Sequence, residues 1–275
     1  MRKLLCALAL SLTASFAPAL TATPARAAAC GNDASGFNAW IAAFKQEAPA
    51  RHGLKAYTVA NALEGVTYDP QVIKLDRGQR SFKLSFEEFY QRRVNKALIN
   101  RGRQLHAQYA GLFERIQQDF GVPPQIIIAI WGLETGYGAN SGKMDVVRSL
   151  ATLSYDCRRS EFFTRELVSA LKIIENGDKV REDMRGAWAG ELGQTQFLAS
   201  SYLNYAVDYD RDGKRDLIRS IPDVLASTAN YLKQKGWRAG ESWAPGTPNH
   251  EVLREWNKAT VYVQTIGVMA EQLVE

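Results

Sequence analysis

An almost unbroken apolar run ends on a carboxylic acid: Pro123-Pro124-Gln125-Ile126-Ile127-Ile128-Ala129-Ile130-Trp131-Gly132-Leu133-Glu134. Paired prolines suit the opening turn of a helix, and Gly136 and Gly138 suit its termination. Counted back in helical steps, Glu134 has Trp131 at i−3, Ile130 at i−4 and Ile127 at i−7. The acid therefore shares a face with three large apolar side chains. Desolvation on that face disfavours the ionised carboxylate, and the negative end of the helix dipole disfavours it again. A carboxylic acid kept protonated near neutral pH is what acid-catalysed cleavage of a glycosidic bond requires. The competing reading is a buried glutamate paired with one of the many arginines.

Helical periodicity dominates the rest of the chain, and no convincing alternating strand pattern accompanies it. Phe37, Trp40, Ile41 and Phe44 space as one helix face. A long amphipathic helix is expected from about Asn95 to Phe120, striped by Leu98, Leu105, Tyr109, Leu112, Phe113 and Ile116 and stopped by Gly121. Ser160 reads as the cap of a helix with Phe163, Leu167, Leu171 and Ile174 on its face, ending at Asn176-Gly177. Ser220 and Pro222 read as the cap and first turn of another, with Leu225, Ala229 and Leu232 buried and Gly236 as its stop. A last helix is expected from about Glu251 to the end, carrying Trp256, Val261, Val263, Ile266 and Met269. The expected class is mostly α, without internal repeats or long linkers.

The first 29 residues read as a secretory leader: basic Arg2 and Lys3, an apolar stretch from Leu4, and small residues at Ala25 to Ala29. Its apolar core is too short for a membrane span. Residues 30–275 then form one large domain or two tightly packed lobes. Export to the periplasm is expected. Cys6 leaves with the leader, so Cys30 and Cys157 remain, the arithmetic of one disulfide in an oxidising compartment. Lipidation of Cys30 is the alternative, and it excludes the disulfide. The formal net charge of +5 drops to +2 once Arg2, Lys3 and Arg26 leave with the leader. So mild a balance argues against nucleic acid as partner.

Around the acid, Ala129 to Gly138 is followed by Leu150-Ala151-Thr152-Leu153-Ser154-Tyr155, Arg158-Arg159, Trp188-Ala189-Gly190-Glu191-Leu192-Gly193-Gln194-Thr195-Gln196-Phe197 and Ser200-Ser201-Tyr202. In these motifs the chain resembles the lytic murein transglycosylase B family from about Phe37 to the C-terminus. The resemblance implies a lysozyme-like helical fold with additional helices packed around a cleft. It implies cleavage of peptidoglycan between N-acetylmuramic acid and N-acetylglucosamine, leaving 1,6-anhydromuramyl ends. Glu134 then maps onto the single catalytic acid and base, and no second carboxylate is needed, unlike most glycosidases. The rival readings are a hydrolytic muramidase and a non-catalytic peptidoglycan-binding or scaffold protein.

The resemblance also assigns substrate-site residues. Gln196, Tyr231, Asn257 and Tyr262 match cleft positions, the tyrosines supplying faces for sugar stacking. Tyr90 lies one place from a cleft tyrosine, with Phe89 at the counted position. Arg158 and Arg159 are candidates for neutralising muramyl carboxylates, against the alternative of a solvated charge pair. Glu191 reads as a turn residue rather than a partner acid, and Gln194 as an exposed surface amide. Ala187 stands where some members carry a serine that hydrogen-bonds the glutamate, so the orientation of Glu134 must come from elsewhere.

Asp208, Asp210, Asp212 and Asp216 occupy positions one, three, five and nine of an EF-hand-like loop, with Gly213 at six and Lys214 at seven. Arg219 stands at twelve, where a bidentate glutamate is expected, and Asp223 is the replacement candidate. A structural Ca²⁺ held by Asp208, Asp210, Asp212, Lys214, Asp216 and Asp223 is the reading, against a turn whose acids are satisfied by backbone amides and by Arg211, Lys214 and Arg215. No cofactor is expected in catalysis. The expected partners are peptidoglycan glycan strands and cell-wall synthesis or envelope machinery, met by a monomer.

Overall fold

The apolar run becomes the helix around which the others gather. In the computed structural model, which describes residues 29–78 and 84–273, α7 spans Pro124–Thr135 with Pro124 in its first turn and Gly136 in the left-handed conformation as its C-cap (φ 60°). The leader reading falls, except for Ala29, outside the described residues. Ile126, Ile127, Ile128, Ala129 and Ile130 are fully buried. Burying each isoleucine contributes roughly 1.5–3 kcal/mol relative to exposure. Four helices pack on α7: α5 (Lys96–Gln108), α6 (Ala110–Phe120), α11 (Ile221–Gln234) and α13 (Thr260–Gln272). The approach of α5 is possible because Gly102 carries no side chain. A Cβ there would lie 2.5 Å from the Tyr137 hydroxyl, which instead donates to the Leu98 carbonyl at 2.9 Å.

A second gathering forms on α8 (Val146–Tyr155) and α9 (Ser160–Glu175). Helices α1 (Phe37–His52), α2 (Ala56–Ala62), α3 (Pro70–Arg77) and α10 (Ala199–Tyr205) pack against this pair, with Phe37, Trp40 and Phe44 of α1 buried as their spacing predicts. The Cys30–Cys157 disulfide ties the segment before α1 to the end of α8, with Cα atoms 5.0 Å apart. Its thiol at Cys30 is the one lipidation would need. Backbone bonds flank it, from Gly31 N to Tyr155 O and from Cys157 N to Gly31 O. The two gatherings share one buried apolar core. Sheet among the described residues is limited to β1 (Met144–Asp145) and β2 (Arg185–Gly186), antiparallel, so the fold is mostly α as expected.

Three expected elements differ. The long helix from Asn95 breaks at Tyr109, which closes α5 and opens α6 with non-helical torsions (φ −109°, ψ 22°). Gly111, a weak helix former, stands two residues on. Ser160 lies inside α9 rather than capping it. Arg159 holds the cap position, and the Ser160 hydroxyl donates to the Ser154 carbonyl at 2.5 Å. The last helix is two, α12 (Pro248–Trp256) and α13, separated where the Asn257 side chain accepts from Ala259 N at 2.9 Å. That local bond competes with continuing the helix. Ser220, by contrast, caps α11 as read, accepting from Asp223 N.

Candidate active site

Glu134 lies in the last turn of α7, on the wall of a cavity of about 310 Å³ that Glu191, Gln196, Tyr231, Trp256 and Asn257 also line. The loop that follows is built to hold it there. Thr135 is buried; its hydroxyl donates to the Gln194 carbonyl at 2.6 Å and accepts from Gly138 N at 2.8 Å. Gly138 (φ 85°) must be glycine, since a Cβ would fall 2.3 Å from Gln194 Oε1. That oxygen accepts from the Trp131 indole at 2.9 Å, and Gln194 Nε2 donates to the Ile218 carbonyl at 2.9 Å. Gln194 is thus a buried strut under the site, not an exposed surface amide, because the Trp131 indole and the Ile218 carbonyl offer a donor and an acceptor that a side-chain amide satisfies together.

Two donors orient the acid. The Tyr262 hydroxyl (2.7 Å) and the Trp256 indole N–H (2.9 Å) both donate to Glu134 Oε1. No described side chain donates to Oε2, so the acid's proton belongs on that second oxygen. Burial pushes the Glu134 carboxyl above its ordinary value, while Tyr262, Trp256 and the Arg93 charge pull it back and Glu191 adds to the rise. The net shift is upward. Burial likewise pushes the Tyr262 phenol well above its usual value, with the neighbouring Glu134 adding to it, so it stays a hydroxyl donor. Arg93 is steered away from the carboxylate, its guanidinium donating to the Leu133 carbonyl at 2.7 Å. The buried glutamate is therefore not neutralised by an arginine salt bridge.

Gln196 sits beside the acid in a left-handed conformation (φ 53°), which a β-carbon makes costly. Its amide donates to the carbonyls of Gly193 (2.9 Å) and Ser141 (3.2 Å). Tyr231 donates to the Glu255 carbonyl at 2.7 Å and meets the Trp256 ring edge-on, centroids 5.0 Å apart. Gln196, Tyr231, Asn257 and Tyr262 are thus brought together around Glu134. Tyr90 is not: it donates to Gln272 Oε1 at 2.7 Å in a separate hollow on the α13 side, while Phe89 packs edge-on against Tyr262. Arg158 and Arg159 do not line the cavity either; both pair with buried Asp76, and Arg159 also stacks over Phe163. A buried carboxylate needs charged partners, and Asp76 takes them before solvent or ligand can.

Trp256 is the residue that sequence reasoning missed. Read as one apolar position on a long helix, it is instead the last residue of α12 and projects its indole N–H at the acid. The available signal was Asn257-Lys258, a helix-breaking local-bonding residue directly after it.

In the acidic loop, Asp208, Asp210 and Asp212 bring carboxylate oxygens within 4.8 Å of one another. Asp216 and Asp223 are not part of that cluster. Asp216 pairs with Lys179, and Asp223 is fully buried, accepting from the backbone N–H groups of Tyr209 (2.7 Å) and Asp216 (2.7 Å). Lys214 N donates to Asp212, and Arg219 at the twelfth place pairs with Asp183. Three hard oxygen donors fit a Ca²⁺, and the remaining two carboxylates of the expected set do not.

The Transglycosylase SLT domain model matches residues 36–248. The chain belongs to the transglycosylase SLT family. Membrane-bound lytic murein transglycosylase B of Escherichia coli strain K12 is 39% identical over 150 residues, 52% of this chain and 41% of the relative, so the match spans about two-fifths of that protein. SltB3 from Pseudomonas aeruginosa, solved in complex with NAG-anhNAM-pentapeptide, superposes with a TM-score of 0.81 at 32% identity, covering 87% of this chain and 80% of that one. The Escherichia coli lytic transglycosylase Slt35, solved in complex with calcium, shares the fold at a TM-score of 0.76 and 24% identity, over 90% and 96% of the two chains.

Proposed function

We propose that the protein is an exported peptidoglycan lytic transglycosylase with Glu134 as its single acid and base. The observation that carries this is the setting of Glu134: a carboxyl on a cavity wall, raised by burial, with no salt-bridge partner, two neutral donors on one oxygen and the other left for a ligand. Protonated Oε2 gives its proton to the oxygen between N-acetylmuramic acid and N-acetylglucosamine as that bond breaks. Positive charge develops at the muramyl C1. The carboxylate so formed is stabilised by Tyr262 and Trp256 and takes the proton of the muramyl C6 hydroxyl, whose oxygen closes onto C1. The acid is regenerated, no water is consumed, and a 1,6-anhydro end remains. The relative's anhydromuramyl ligand supports that product class.

Gln196 and Asn257 supply amides for acetamido and hydroxyl groups, and Tyr231 and Trp256 supply ring faces for the sugars. Residues 1–29 are the export leader and residues 30–275 the catalytic domain, a reading supported by the leader's composition and by the family match within the remainder. The family and the oxidised cysteine pair support a periplasmic enzyme with Cys30 unlipidated. A Ca²⁺ at Asp208, Asp210 and Asp212 would brace the loop between α10 and α11, with no part in the chemistry.

Glu191, a second carboxyl in the cavity, favours one alternative, a hydrolytic muramidase that activates water. Mass spectrometry of digested sacculi separates the two, since hydrolysis adds the mass of water and transglycosylation does not. The Glu134→Gln variant is expected to stay folded, bind glycan and lose nearly all turnover. Substantial residual activity in it refutes the assignment.

A further inference from the structure

The segment from Phe89 to Phe113 carries five cations, Arg92, Arg93, Lys96, Arg101 and Arg103, and not one acid. The whole chain after the leader nets only +2. All five are exposed, and none lies within salt-bridge distance of a described carboxylate. Elsewhere the arginines are matched: Arg158 and Arg159 by Asp76, Arg215 by Asp178, Arg219 by Asp183. Cations gathered without counter-charges repel one another, so such a patch weakens the fold and attracts an anion.

Part of this stretch lines the hollow into which Tyr90 was found to point, about 340 Å³ between the end of α4 (Phe86–Arg93), the first turns of α5 and the end of α13. Lys96, Asn100 and Arg103 stand at i, i+4 and i+7 of α5 and face it together. Arg103 donates one N–H to the Gln272 carbonyl at 2.6 Å and keeps the rest of its fork. Tyr90 occupies Gln272 Oε1, while Gln272 Nε2 has no partner among the described residues. No carboxylate lines the hollow. Two cations with side-chain amides beside them form the donor set that a carboxylate takes.

We propose that this hollow is a subsite for a carboxylate of the stem peptide borne by the glycan strand in the cleft, held by Lys96 and Arg103. It rests on the reading of the Glu134 cavity as a glycan site, and reach joins the two places. Tyr262, which touches the acid, and Gln272 lie on one helix, roughly 15 Å apart at about 1.5 Å per residue. An extended peptide of about five residues spans roughly 17 Å, and it hangs from the lactyl group of the muramyl ring on which Glu134 acts. A hollow of this size takes one charged end group, whereas an anionic lipid surface presents a plane.

The test measures binding in the full-length Glu134→Gln chain, so that turnover plays no part. Sedimentation compares intact glycan strands, strands stripped of peptide, and strands whose peptide carboxyls are amidated. Intact strands are expected to bind about tenfold tighter than either of the others, and Lys96→Gln/Arg103→Gln should lose that preference. Should the double variant melt early, because Arg103 also anchors Gln272, Lys96→Glu must still lower the preference, its side chain being exposed and without a described partner. Equal binding to all three strands overturns the subsite and leaves the glycan reading standing. A preference that survives in both variants overturns it too. Binding to phosphatidylglycerol vesicles that needs Lys96 and Arg103, with no peptide preference, replaces it with a lipid surface. Failure to bind any strand refutes the glycan reading, and the subsite with it.

Discussion

Replacing Trp256 with phenylalanine removes one proton from the site and leaves most of the packing. The Trp256 ring meets Tyr231 and Phe197 edge-on at 5.0 and 5.5 Å between centroids, contacts a phenyl ring can keep in part. What it cannot keep is the 2.9 Å donation to Glu134 Oε1. A hydrogen bond to a charged acceptor contributes about 1.5–3 kcal/mol and one to a neutral acceptor about 1. The ionised state of Glu134 therefore loses about 1–2 kcal/mol more than the protonated state does. At 1.36 kcal/mol per unit, the carboxyl rises by about one further pH unit. The sign is firm, because the lost donor stabilises the charged form alone in excess. The alkaline limb of kcat/KM should move up by about one unit, while kcat on the plateau falls about tenfold, since the weaker acid protonates the bridge oxygen less readily. Tyr262→Phe should act in the same direction, and the double variant less than additively, both donors sharing Oε1. A limb that stays put or moves down in Trp256→Phe, with folding intact by circular dichroism, refutes the orienting role.

Reduction should lower the melting temperature, since the disulfide closes a loop with a sequence separation of 127 residues. The chain-entropy estimate is on the order of 4–5 kcal/mol at most. Cys30→Ser/Cys157→Ser should be equally destabilised and indifferent to reductant, and finding two free thiols in protein from the periplasm removes the argument. Millimolar Ca²⁺ should raise the wild-type melting temperature by a few degrees, on the order expected when a ligand well above its Kd binds the native state. Asp210→Ala should abolish that rise without changing the rate on glycan, and a wild type insensitive to Ca²⁺ leaves the loop a turn held by its own amides.

Much of the site was legible because its signals are local. A carboxyl at the C-terminal end of an apolar helix carries its dipole and its desolvating neighbours in the same twelve residues, and the structure buries that helix accordingly. The spacing of Phe37, Trp40 and Phe44, the cap at Ser220 and the pairing of Cys30 with Cys157 are equally short-range or arithmetical. Breaks at Tyr109 and Asn257 were not legible, because one residue of competing local geometry interrupts a periodicity that reads straight through it.

What the chain by itself determined is the acid, its apolar setting and a mostly helical fold. Only tertiary structure decided who serves the acid. Trp256 and Tyr262 lie 122 and 128 residues from Glu134, and no local pattern distinguishes an indole that will donate to a carboxyl from one that will fill a core. The same holds for Arg158 and Arg159, which a buried Asp76 draws away from the cavity, and for Gln194, whose side-chain partners Trp131 and Ile218 come from distant segments. A polar side chain's role follows from which unsatisfied groups packing places against it, and packing is set by the whole chain at once.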